Sequence, residues 1–374
     1  MKARVILAAC AAVLLGACGG ADGPEPRTGG APLRELVERA RAEAGLPGLA
    51  AVVVEDGAID AASSGSRIAG EPERLLVGDP LQMGSQTKAA TAMLIARLVE
   101  HRRLRWDSSM GELFPQWRAS MDPQLRAATV EQMLRHRGGL KHDLDDGDAE
   151  RLRPLATGVP SVDRRTVGHY LLHRAPAAAP DRSMVYSNLG YLLLGLAAEE
   201  AAGLPYEELM RREVFAPLGI EAGFGFPEDA GAGSVSGHVL EGTAWRPVAF
   251  GGEVRYGMDM VQPAGGMMLS MAEYGKLLRA QLAGLRGGSD YLSADTVRRM
   301  HTPLHGYAHG WAIEHHATGG VVSVHAGSWG SYYVYAIVAP GLNRAVAVGC
   351  NCYGAQAMKH IHRLAGRLAF EAGS

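Results

Sequence analysis

The chain has 374 residues, 47% hydrophobic and 20% charged, enough apolar material for one large domain or two ordinary ones. A formal net charge of −2 leaves no basic field for nucleic acid, so the composition points to a small-molecule or short-peptide substrate. Only five cationic side chains are lysines (Lys2, Lys88, Lys141, Lys276 and Lys359); an amine can give up its proton where a guanidinium cannot.

Lys2 and Arg4 precede an apolar run from Val5 to Leu15, too short to span a bilayer, and residues 1–17 have the form of a secretory signal. The run ends in Leu15-Gly16-Ala17-Cys18, which resembles the lipobox of bacterial lipoproteins. The resemblance implies cleavage before Cys18 and lipidation of its sulfur. The chain would then be held by lipid alone at the periplasmic side of the cell envelope, on the outer membrane in a Gram-negative cell. An ordinary signal peptide cut after Ala17 is the alternative. Residues 18–32 are rich in Gly and Pro and suit a flexible tether. Cys350 and Cys352 then remain, and a C-x-C pair reads as two small buried thiols rather than a disulfide framework or a zinc site.

In chain order, a helix is expected over Pro32–Ala44, stopped by Gly45. Leu49–Val54, Asp56-Gly57 and Ala58–Ser64 read as a β-hairpin. From Ser85 to about His101 the pattern is helical and apolar nearly all round, as in a buried central helix. Residues 105–257 read mainly as helices and loops, with the clearest helix from Asn188 to Gly203. Residues 221–266 are Gly-rich and read as a long irregular segment along one edge of a site. A helix follows Ser270. Strands are expected over Gly320–His325, Ser331–Ala339 and Arg344–Cys350, and a last helix over Ala355–Phe370. Strands at both ends with helices between imply an α/β (α+β) chain: an antiparallel sheet from both termini, flanked by helices, with a mostly helical insertion. The domain spans 33–374, its sheet part about 33–104 and 259–374 and its helical part about 105–258.

Three constellations carry chemistry. Ser85-Gln86-Thr87-Lys88 opens the buried helix, and positions i and i+3 share a face, so hydroxyl and amine can meet. Burial depresses an ammonium pKa and lets the amine deprotonate a neighbouring hydroxyl, while the helix start offers N–H groups to an oxyanion. Tyr186-Ser187-Asn188 opens the second clear helix. A phenol beside a cation can titrate low enough to be a general base, and the Asn188 amide can bind a carbonyl or merely cap the helix. His325-Ala326-Gly327, followed by Ser328, ends a predicted strand where Gly permits close backbone approach.

In order, S-x-x-K, Y-x-N and H-x-G resemble the signature of the class C β-lactamase and penicillin-recognising serine hydrolase family, with its D-aminopeptidase-, DD-peptidase- and esterase-like members. Segments such as MGSQTKAATAMLIARLVEHRRL, TVEQMLRHRGGL, VYSNLGYLLLGLAAEE and VHAGSWGSYYVYAIVAPGLNRAVAV extend the likeness over most of residues 33–370. The resemblance implies a β-lactamase/transpeptidase-like fold and an acyl-enzyme on Ser85 that hydrolyses a short ester, a β-lactam or a D-amino-acid peptide. It implies that Lys88 and Tyr186 share the proton work, that Asn188, His325, Gly327 and Ser328 bind substrate, and that the N–H groups of Ser85 and Ser328 form the oxyanion hole. It implies no cofactor. A silent envelope-binding module on the same fold is the alternative. His325 stands where β-lactamases usually carry Lys; with an unperturbed pKa of about 6.5 it predicts weaker hold on a substrate carboxylate at high pH than at low. The histidines at 301, 305, 309, 315 and 316 are broken up by Pro303, Gly306 and Gly310 and read as no metal site. Residues 143–148, four of them Asp besides a Gly, read as a solvated loop rim rather than a calcium loop.

Overall fold

The computed structural model describes residues 25–371; the expected signal and Cys18 lie outside them. Helix α1, Ala31–Ala44, carries Pro32 in its first turn and ends on Gly45 at φ 59°, where a left-handed residue closes the last turn. Its apolar residues Leu33, Leu36 and Val37 are buried. Arg27–Thr28 (β1) runs parallel to residues 60–61, so the segment expected as a free tether is docked onto the sheet from Arg27 onward.

The hairpin pairs β2, Gly48–Glu55, with β3, Ala58–Gly65. Both turn residues are left-handed, Asp56 at φ 50° and Gly57 at φ 81°, the geometry that matches strand twist across a two-residue turn. Four strands from the other end of the chain complete the sheet: β4 (Ala312–His316), β5 (Gly320–Ser328), β6 (Tyr333–Ala339) and β7 (Arg344–Cys350). The order is β1-β3-β2-β7-β6-β5-β4, antiparallel except at β1–β3. The β2–β7 pairing, Leu49 opposite Cys350 to Glu55 opposite Arg344, joins the two termini.

Side chains alternate between two cores, as period 2 requires. Leu49, Ala51, Val346 and Val348 face α1 and the last helix, Ala355–Phe370. Ala50, Val52, Val54, Ala345 and Ala347 face the larger core, which holds the helix Met271–Leu285 and the helical part. Helix α2, Thr87–Glu100, lies inside that core, with every residue from Thr87 to Ala96 buried. Helix α3, Asn188–Ala202, packs beside it and ends on Gly203 at φ 72°. Cys350 and Cys352 are both buried and unbridged.

One expectation needs correction. Residues 221–266 hold a hairpin, His238–Glu241 with Ala244–Pro247, and a helix, Gly252–Met260, rather than one irregular run. The hairpin turns at Gly242, φ 62°, one of many glycines, so its turn signal does not stand out. Before β4 the stretch 305–311 turns: His305, Gly306 and Gly310 all have positive φ, and the strand begins at Ala312. A Cβ on Gly310 would lie 2.7 Å from the Ala89 Cα, so this turn lets the chain pass against α2.

Candidate active site

Residues 84–86 form one turn of 3-10 helix leading into α2. Gly84 sits at φ 52°, and a Cβ there would fall 2.2 Å from the Ser328 nitrogen; one on Gly327 would fall 2.1 Å from the Met83 carbonyl oxygen. Backbone therefore packs on backbone, and the start of α2 and the end of β5 meet with no side chain between them. The Gln86 side chain locks this contact: its Nε2 donates to the carbonyls of His325 (2.7 Å) and Val334 (3.2 Å), and its Oε1 accepts from the Tyr274 hydroxyl (2.7 Å).

One turn on, the Lys88 ammonium has no exposure to water. Its Nζ lies 3.0 Å from the Ser85 Oγ, 2.7 Å from the Asn188 Oδ1 and 2.8 Å from the Ala264 carbonyl oxygen, and 4.8 Å from the centre of the Tyr186 ring. Burial pulls its pKa down to about 7, against a weaker upward pull from Asp143. A large share of the amine is then neutral near pH 7 and can accept the Ser85 proton.

The Y-x-N segment is held from three sides. The Ser187 Oγ, not Asn188, caps α3 by accepting from the Gly190 N–H, and it donates to the Lys141 carbonyl. The Ser187 N–H donates to the His136 Nδ1 at 3.0 Å, and the His136 ring lies 4.2 Å from that of Tyr186. Burial, then the nearby Lys88 charge, holds His136 well below its ordinary pKa, so this imidazole is neutral. Asn188 accepts from Lys88 and donates to Asp143 at 2.9 Å, which leaves one amide N–H for a ligand.

Two electrostatic expectations are overturned. The phenol of Tyr186 does not titrate low: burial pushes its pKa above the ordinary value, and a hydrogen bond with Ser85 offsets this only in part. His325 is not a switchable cation. Its ring is buried, its Nε2 lies 3.1 Å from the Tyr307 hydroxyl, and burial followed by the Lys88 charge lowers its pKa to about 3. It is therefore neutral across the range in which it was expected to gain charge. Asp143, read as part of a solvated rim, reaches into the site through Asn188, whereas Asp145 caps the helix Asp146–Leu152 and Asp148 accepts from Tyr170.

Ser85, Tyr186, Asn188, His325, Gly327 and Ser328 line one cleft of about 820 Å³, with Lys88 directly behind Ser85. The catalytic and substrate-binding candidates of the sequence are thus gathered at the junction of sheet and helices. Gln86, His136, Asp143, Tyr307 and the Ala264 carbonyl were not foreseen as members; Gln86 and His136 fall within the quoted segments, but nothing in the pattern marks what they contact. The histidines at 301 to 316 are dispersed: His301 bonds Ser323 and Gln281, His309 faces Glu131, and His316 stacks on Phe370. Among the described residues no group of side chains is arranged to hold a metal ion.

The arrangement has known counterparts. Residues 33–369 match the family model described as Beta-lactamase. Penicillin-binding protein 4 of Amycolatopsis lactamdurans is 28% identical over 345 residues, covering 85% of this chain and 84% of that protein. A putative D-alanyl-D-alanine carboxypeptidase of Escherichia coli O157:H7 is 22% identical over 309 residues, 74% of this chain and 70% of that one. Among solved structures, the crystal structure of SurE superposes with a TM-score of 0.75 at 25% identity, covering 90% of this chain and 74% of that chain.

Proposed function

The chain belongs to the beta-lactamase family, and within it we propose that this protein is a serine hydrolase that forms an acyl-enzyme on Ser85 with Lys88 as the base. The observation that carries this reading is a wholly buried amine, with a pKa of about 7, at 3.0 Å from the Ser85 hydroxyl. The neutral Lys88 takes the Oγ proton as Ser85 adds to the substrate carbonyl. The N–H groups of Ser85 and Ser328, in segments brought into contact at Gly84, receive the oxyanion. Collapse of the tetrahedral adduct breaks the bond to the leaving group, which takes up the proton from Lys88, with the neutral Tyr186 phenol as its route. A water then adds to the ester and gives a proton to the same amine; the second tetrahedral adduct breaks its bond to the Ser85 Oγ, which takes that proton back from Lys88 as the acid leaves.

Relatives named as a penicillin-binding protein and a carboxypeptidase support acyl transfer on amides or strained amides. The neutral His325 supports a preference for uncharged esters and amides over substrates that need a fixed cation for a carboxylate. The test is intact-protein mass spectrometry after exposure to a fluorophosphonate and to a p-nitrophenyl ester. A single adduct on wild type, absent from Ser85→Ala, is expected. An adduct of equal yield on Ser85→Ala, or none on either protein, rejects the proposal.

A further inference from the structure

Beyond Ser85 the cleft continues along β5 to a wall that the acyl-transfer chemistry does not use. Glu314 on β4, Tyr335 on β6 and His362 on the last helix line it there. The Tyr335 and His362 rings stack with centres 3.9 Å apart, and the His362 Nε2 lies 2.6 Å from the Tyr333 hydroxyl. Glu314 is exposed and close enough to raise the pKa of both Tyr335 and His362, yet it makes no ion pair with any described residue. No Lys or Arg lines the cleft among the described residues, and burial holds the His362 imidazole below its ordinary pKa. The Glu314 carboxylate therefore stands uncompensated beside an aromatic stack, a combination that attracts a cation by Coulomb force and by ring quadrupole together.

The strand geometry gives the reach. β4 begins at Ala312, opposite Val324, so residues 325–328 of β5 have no strand on that side and can take an extended chain. Glu314 lies opposite Val322, six residues before Ser328, or roughly 20 Å along the strand. We propose that this end of the cleft, formed by Glu314, Tyr335 and His362, binds an ammonium or guanidinium group borne on an extended substrate, remote from the carbonyl that Ser85 attacks. The proposal rests on the acyl-transfer reading and narrows its substrate class to cationic chains.

The experiment compares kcat/KM for p-nitrophenyl esters of short, medium and long acyl chains ending in either an ammonium or a methyl group, with a matching series lengthened on the alcohol side. For long chains in one series the ammonium member should be favoured about fivefold, the scale of one exposed ion pair with a ring contact, and for short chains not at all. Glu314→Gln should bring that ratio close to one, and Glu314→Lys should invert it toward carboxylate-terminated chains. A ratio unmoved by Glu314→Gln, or no ammonium preference in either series, overturns the subsite while leaving ester hydrolysis standing. If wild type turns over no ester, the reading of Ser85 fails first. Calorimetric titration of ammonium- and methyl-terminated long-chain amides onto Ser85→Ala protein then decides the subsite by itself, with equal affinity for the two overturning it.

Discussion

At Lys88 three acceptors and a ring face surround an amine with no exposed atom, and the dominant effect is loss of hydration, which disfavours the charged form. Only Asp143, one residue removed through Asn188, pulls the other way. The sign for catalysis follows. Below about pH 7 the amine holds its proton and cannot take that of Ser85; above, it can. kcat/KM for a neutral ester should therefore rise across neutrality with an inflection near 7, and an inflection in the range of an ordinary lysine, about 10, would remove Lys88 as the base. Lys88→Arg should lower kcat by about a hundredfold or more, because a guanidinium keeps its proton. The His325 ring should stay neutral, giving no NMR titration between about pH 5 and about pH 8, where an ordinary imidazole would change charge.

At the scale of elements, what could be read from the sequence was local. Gly45 and Gly203 end their helices and Asp56-Gly57 turns its hairpin because each signal lies within a few residues of what it controls. Ser85 and Lys88 were legible for the same reason, three positions apart on one helical face. Joining them to Tyr186, Asn188 and His325 took the family resemblance, since spacing alone does not bring residues a hundred positions apart together. The Lys88 contact to Ala264 and the Gln86 contacts to His325 and Val334 span 176, 239 and 248 positions. No periodicity marks such partners, so they had no signal to read. Their importance can be tested. Gln86→Ala leaves two buried carbonyls and the Tyr274 hydroxyl short of a partner, and should cost about 2–3 kcal/mol in denaturant unfolding as well as activity. Gly84→Ala puts a Cβ into the Ser328 backbone at a positive φ, and should abolish turnover by parting Ser85 from Ser328. Near-normal turnover in Gly84→Ala would show that this contact is not needed.

At the scale of the whole molecule, the site is a seam. Lys88 comes from α2, Asn188 from the helical part, Ala264 from the return of the chain to the sheet, and Ser328 from the sheet itself. The N-terminus supplies a separate proposal, that the chain is exported and held at the envelope by lipid on Cys18. Cys18→Ala should then move the protein from the membrane to the soluble fraction with ester hydrolysis intact, and membrane association that persists would reject it. The seam has its own consequence for stability. A boronic acid that adds to the Ser85 Oγ forms a tetrahedral anion in the place of the reaction's own, held by groups from both parts of the fold. It binds the folded chain alone, because the unfolded chain has neither the basic amine nor the converging N–H groups. At a hundredfold excess over its dissociation constant it should stabilise the protein by about 2.7 kcal/mol, a rise of a few degrees in melting temperature. Ser85→Ala removes the covalent bond and should lose the whole shift, and Lys88→Arg most of it, since a protonated guanidinium cannot take the proton that adduct formation releases. Equal shifts in wild type and Ser85→Ala, read by differential scanning calorimetry, would place the boronate elsewhere on the molecule.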